Sequence, residues 1–163
     1  MAAVDLFLKL DGITGESADA RHPGEIEVLA FSWAEHQSVP AGGGGGGGGA
    51  GKVQIGELHV VMRTSKASPP LMLACAKGSH IKTAVLSSRR HGNAGQKDFL
   101  VIKLSDVSVT SYRIGATESG EDDLPTDQVS LAFGKIEYGY HPQKPDGSLA
   151  PAITATWDVK KNA

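Results

Sequence analysis

Ile153-Thr154-Ala155-Thr156-Trp157-Asp158-Val159 alternates without a break. Ile153, Ala155, Trp157 and Val159 fall on one side of an extended chain, and Thr154, Thr156, Asp158 and Lys160 on the other. Successive side chains of a strand point to opposite faces, so a period of two means a strand with one apolar side. The same reading carried back along the chain predicts strands near residues 4–11, 26–38, 53–64, 80–90, 98–113, 127–141 and 152–160. Residues 98–113 read as one strand or two, because Phe99-Leu100-Val101-Ile102 is continuously apolar before Val107 and Val109 alternate. In 127–141 the apolar phase changes from Val129, Leu131 and Phe133 to Ile136, Tyr138 and Tyr140. Gly134 stands at the switch, where a bulge or bend is expected.

One segment has the helical period. Ser68 is the expected N-cap, Pro69 and Pro70 fit a first turn that needs no N–H, and Gly78 suits the stop. Between them Leu71, Ala74 and Cys75 make an apolar face. Seven or more strands and one short helix predict a mainly β fold, a closed or nearly closed β-barrel. The loops fall at 11–25, 40–52, 91–97, 115–126 and 142–151, and all 163 residues read as a single domain with a glycine-rich insertion at 41–52.

Composition narrows the function. The 40 % of apolar residues suits a folded core, whereas Gly42 to Gly49 supply no side chains to it. Sixteen basic against eighteen acidic residues leave a net charge of −2, which gives no footprint for nucleic acid. No apolar run is long enough to span a bilayer as a helix. The lone Cys75 excludes an internal disulfide and a cysteine metal cluster, and on the apolar face of the helix it reads as a buried structural thiol. Asp5 and Lys9 interrupt the N-terminal apolar stretch, which also lacks a basic start, so no cleaved signal peptide is expected. The protein is expected to be cytoplasmic when made, and any export should need no leader.

The catalytic templates fail one by one. Gly46, Gly51 and Lys52 match the G-x4-G-K spacing of a phosphate loop, but Val53 replaces its Ser or Thr and a strand follows in place of a helix. Gly15-Glu16-Ser17-Ala18 begins a nucleophile elbow that Asp19 ends. The histidines at 22, 36, 59, 80, 91 and 141 stand singly, without ligand spacing, and read as solvent-facing or packed structural side chains. Glu118, Glu121, Asp122 and Asp123 lack the alternating ligands and closing glutamate of a calcium loop, so they read as a solvated turn. Arg89-Arg90 is too short for a nucleic-acid patch. No catalytic residue, cofactor or metal is expected.

Fragments in order along the whole chain carry a resemblance. They are Phe7-Leu8-Lys9 with Asp11-Gly12, Gly15-Glu16-Ser17, Glu25-Ile26-Glu27-Val28-Leu29, Gly51-Lys52-Val53, Ser68-Pro69, Ala74-Cys75, Gly120-Glu121-Asp122, Pro142-Gln143-Lys144 with Asp146-Gly147, and Trp157. With these the chain resembles the haemolysin-coregulated protein family, Hcp, the tube subunit of type VI secretion systems. The resemblance implies a β-barrel that assembles into a homohexameric ring. It also implies rings stacked into a hollow tube, a contractile sheath around it and a spike protein at its tip. Small effector proteins would ride inside, and the subunit itself would be exported. The simple Gly42–Gly49 loop and Phe31, where relatives often carry Trp, depart from the family pattern, as does the 115–120 turn, which is less glycine-rich.

Two site expectations follow. Gly42, Gly43, Gly44, Gly45, Gly46, Gly47, Gly48 and Gly49, with Lys52, lie in the loop that the resemblance places at the ring-stacking face. In the second strand Leu29, Phe31 and Trp33 are assigned to the core by size. Val28, Ala30 and Ser32 are thereby turned outward, and the resemblance implies that this face lines the lumen and meets the cargo. The alternative readings are a monomeric β-barrel that binds a small ligand, and a hydrolase whose constellation is not visible in the sequence.

Overall fold

A computed structural model of the chain describes residues 4–38, 52–91, 96–117 and 124–163. The strands are β1 (Val4–Leu10), β2 (Ile26–Ser32), β3 (Glu35–His36), β4 (Gln54–Ile55), β5 (Leu58–Arg63), β6 (His80–Arg90), β7 (Lys97–Gly115), β8 (Thr126–Ala132), β9 (Lys135–Tyr140) and β10 (Ile153–Asp158), with one helix, α1 (Ser68–Lys77), between β5 and β6. The main sheet runs β10-β9-β7-β6-β1-β2-β5-β8, and β8 pairs again with β7. That second pairing closes a barrel of six strands, β7-β6-β1-β2-β5-β8, every pair antiparallel. Closure removes the barrel's sheet edges, which would otherwise invite pairing with other chains. The hairpin β9–β10 extends the sheet outward from the first half of β7.

Closure depends on β7, whose nineteen residues serve both barrel walls. Residues 97–108 pair with β6, and 108–115 pair with β8. Ile102 and Leu104 point inward before Asp106, and Val107 and Val109 after it. Asp106, with φ 52°, stands between these two inward sets while the pairing with β6 keeps its register there; the ladder with β8 slips once, between Val109 and Ser111. The predicted segment 98–113 is therefore one strand, kept continuous by pairing first with β6 and then with β8. The other three long predictions divide: 26–38 into β2 and β3, 53–64 into β4 and β5, and 127–141 into β8 and β9. The last break lies at Phe133–Gly134, where the chain passes from pairing with the second half of β7 to pairing with the first. There the N–H of Gly134 donates to the carbonyl of Ser105 at 2.9 Å.

The core is aliphatic, with Leu8, Ile26, Leu58, Met62, Leu86, Leu104, Leu131 and Leu71 essentially sealed from solvent. The alternation of β10 holds, but only Trp157 of its apolar side reaches the core. Ile153 is 68 % exposed, because the hairpin extends past the barrel wall that would cover it.

The helix starts one residue away from the sequence reading. Ala67 is the N-cap and makes no side-chain cap bond. Ser68 is the first helical residue, and its hydroxyl is engaged elsewhere: it donates to the carboxylate of Asp127 and accepts the N–H of Ser65 at 2.9 Å. Thr64 donates to the same carboxylate at 2.8 Å, so the wholly buried Asp127 ties the helix entry to β8. The end is as predicted. Gly78 has φ 63°, and the N–H groups of Gly78 and Ser79 reach back to Cys75 and Ala74, a left-handed cap that costs a glycine little. Leu71 and Ala74 are buried; Cys75 is half-buried against the core, not sealed as expected.

A second packed layer lies outside the barrel. The loop between β1 and β2 folds over the outer side of β1 and β6, where His22 stacks on Phe7 with ring centroids 4.3 Å apart. The two ring nitrogens of His22 meet Glu25 at 2.5 Å and Asp98 at 3.0 Å. Beside them the buried Arg89 donates to Asp19 at 2.7 and 2.8 Å and to Asp5 at 2.9 Å. The loop closes tightly at Gly15, where a Cβ would sit 2.4 Å from the carbonyl oxygen of Glu25. Arg89 holds the Asp19 carboxyl well below the usual carboxylate range, helped by the N–H of Arg21. A depressed carboxyl stabilises the fold above its unfolded pKa of about 3.9 and loses that contribution as pH falls through the folded value. Urea midpoints should therefore drop on acidification below about pH 4, and Arg89→Gln should flatten that drop. Equal slopes in the two proteins would remove the pair from the acid response.

Candidate functional site

The outer face of β2-β5-β8-β7 is built from the strand register. Ser32, His59, Ser130 and Ser111 stand opposite one another in one row across four strands. Ala30, Val61, Gln128 and Arg113 form the next row. His59 and Ser130 are joined at 2.8 Å between Nδ1 and Oγ, and Thr110 donates to Glu57 at 2.8 Å. Small hydroxyl, amide and methyl groups dominate, so the face offers hydrogen bonds and little steric relief.

Of the three expected outward residues, Ala30 and Ser32 are exposed on this face. Val28 is not. It lies in the core, only 8 % exposed, opposite Leu6 and Met62, whereas Leu29, assigned to the core by its size, is 50 % exposed. The cause is a bulge: Val28 pairs with Met62 and Ala30 with the adjacent Val61, leaving Leu29 unmatched. The phase flips there, so Ile26 and Val28 point inward before it and Phe31 and Trp33 pack against the core after it. Nothing in an unbroken run of apolar residues marks which of them is the extra one.

Gly42 to Gly49 lie outside the described residues, as do Glu118, Glu121, Asp122 and Asp123. The base of the glycine loop is well defined. β3 and β4 pair Glu35 with Ile55 and His36 with Gln54, and Gly56 N–H donates to Ala34 at 2.9 Å. Trp33 Nε1 donates to the Gly56 carbonyl at 3.0 Å, pinning this ribbon to the barrel, and Lys52 is exposed beyond it. His22 is a packed structural histidine, one of the two readings the sequence offered; sequence reading missed the long-range pairings of Arg89 with Asp19 and Asp5, of His22 with Asp98, and of Asp127 with Thr64 and Ser68. Among the described residues no group of three His, Cys, Asp or Glu side chains is arranged to hold a metal, and no helix is long and apolar enough to cross a membrane.

A closed six-stranded barrel with a flanking hairpin and a capped helix defines a β-barrel protein. Comparison with known proteins makes that class specific. Residues 7–140 match the family described as type VI secretion system effector, Hcp. Protein hcp1 of Pseudomonas aeruginosa is 40 % identical over 161 residues, 98 % of each chain. A solved type six secretion system protein superposes with a TM-score of 0.91 at 28 % identity, covering 99 % of both chains. The crystal structure of Hcp1 from Salmonella typhimurium gives 0.79 at 32 % identity, covering 99 % of this chain and 98 % of that one. The chain belongs to the Hcp family of type VI secretion.

Proposed function

We propose that the protein is the inner-tube subunit of a type VI secretion system, a structural protein that closes into a homohexameric ring, stacks into a hollow tube and is exported with its cargo. The observation that carries the reading is similarity over the full length of the chain to Hcp proteins, joined to the closed barrel. A ring needs a heterologous contact that closes by rotation, and a tube needs a second one that does not. The sheath, the spike and small effector proteins are the partners this reading implies. The face carrying Ser32 and Ala30 is assigned to the lumen, because these two short side chains leave room for a passing protein. The loop 41–52, carried on the β3–β4 ribbon, is assigned to ring-to-ring contact, with Lys52 at its base. Secretion belongs to the same reading.

Light scattering on the purified protein tests the ring. The expected mass is about 102 kDa, six times the 17.0 kDa of the chain. A subunit mass across a broad concentration range would favour a monomeric binding barrel.

A further inference from the structure

In the outer layer the two ring nitrogens of His22 have the same kind of neighbour. Nδ1 faces the Glu25 carboxylate at 2.5 Å, and Nε2 faces that of Asp98 at 3.0 Å. An ionised carboxylate only accepts, so both bonds exist together when both nitrogens carry a proton. A neutral imidazole has one N–H and one lone pair, and would turn that lone pair on one of the two carboxylates. Among the described residues neither carboxylate has another side-chain or backbone donor. The side chains of His22 and Glu25 are each less than a tenth exposed, so water does not replace a lost partner there, whereas Asp98 is 34 % exposed.

Other charges surround the ring without taking over this role. Asp19, in the same loop, accepts the backbone N–H of His22 at 3.2 Å, but its carboxylate is held by Arg89 of β6. Arg89 also lies over Phe7 of β1, the ring on which His22 stacks. Arg21 and Lys97 stand beside Asp98 at the start of β7. Among the described residues the side chains of loop 11–25 reach other elements through three ties: Arg21 to the Gln96 carbonyl, Asp19 to Arg89, and His22 to Asp98. A guanidinium keeps its charge wherever the protein is folded, and Arg89 holds the Asp19 carboxyl well below the usual carboxylate range. Of the three, the histidine tie is the one whose side-chain type changes charge near neutrality.

We propose that His22 is a proton-operated latch: as an imidazolium it bridges Glu25 and Asp98 and holds the β1–β2 loop on the sheet, and loss of its proton releases the loop. The sign follows from the donors. The latch is closed while the ring is charged and opens as pH rises and the proton leaves. Opening is local, because the barrel strands beneath keep their ladders on both sides of β1. The latch belongs to the single subunit and does not depend on assembly.

Amide hydrogen exchange in the full-length protein, compared between about pH 6 and about pH 9, tests the latch across the ordinary histidine range. The probes are the N–H groups of Gly15, Ser17 and Gly24, which bond within the loop to the carbonyls of Gly24, Glu25 and Ser17 at 2.7, 3.0 and 2.8 Å. After correction for the intrinsic pH dependence of exchange, they should exchange about tenfold faster or more at the upper end. Leu8 and Leu86, paired on both sides, should keep their protection. Asp98→Asn separates the latch from general loosening. The asparagine amide can donate to the bare nitrogen, so this variant should stay protected at both ends of the range. His22→Gln should exchange faster throughout and without the pH response; should it fail to fold, Asp98→Asn, altered at a part-exposed side chain, decides alone. His91→Gln removes the neighbouring His91–Asp5 pair and should leave the response intact. Equal protection of the three amides across the range, a response that survives in Asp98→Asn, or one that disappears in His91→Gln would overturn the latch.

Discussion

Asp127→Ala should cost about 3–5 kcal/mol of stability, read as a fall in the urea midpoint. The carboxylate is wholly buried and accepts from the hydroxyls of Thr64 and Ser68, which hold the turn into α1. Its removal leaves the buried hydroxyl of Ser68 and the half-buried hydroxyl of Thr64 without their acceptor, at about 1–3 kcal/mol for a buried one, and opens a void beneath the helix. Tyr112 belongs to the same cluster. Burial pushes its phenol above the ordinary range; a hydrogen bond with Ser68 works against that rise, and the charge of Asp127 adds to it. Asp127→Asn keeps the shape and one acceptor oxygen, so it should fall between wild type and alanine. A loss below about 1 kcal/mol in the alanine variant would show that the helix entry is held by apolar packing alone.

The second large effect separates two neighbouring positions of β2. Val28→Gln should destabilise the barrel by about 3 kcal/mol or more, because the amide would be buried against Leu6 and Met62 without partners and in too little space. Ser32→Gln should leave stability within about 0.5 kcal/mol, since that side chain is exposed. It should leave ring mass unchanged and reduce co-purification of effector. Equal stability of the two variants would contradict the bulge at Leu29, and unchanged cargo with intact rings would move Ser32 off the lumen.

The barrel was legible because most of its strands have one buried and one open side, and burial on one side writes a period of two. The run from Ile153 to Val159 and the stop at Gly78 show how local such signals are. What escaped the sequence was the count of residues between pairings. One unmatched residue at Leu29 reversed the assignment of Val28, and another, Thr110, lies in the ladder of β7 with β8. Bulges are set by partner strands far along the chain, and apolar neighbours do not reveal them. The outer layer was hidden for the same reason. Leu86, Ser87, Ser88 and Arg89 are buried in succession, because β6 is covered on both sides and alternation disappears. Arg89 meets Asp19 across seventy residues, and His22 meets Asp98 across seventy-six. Such a pair is invisible until the loop between β1 and β2 is folded over the sheet.

Electron microscopy of the purified full-length protein tests the central claim most directly. Six-fold rings with an open bore, stacking end to end as concentration rises, are the predicted result. Isolated particles of single-subunit size at every concentration would contradict it.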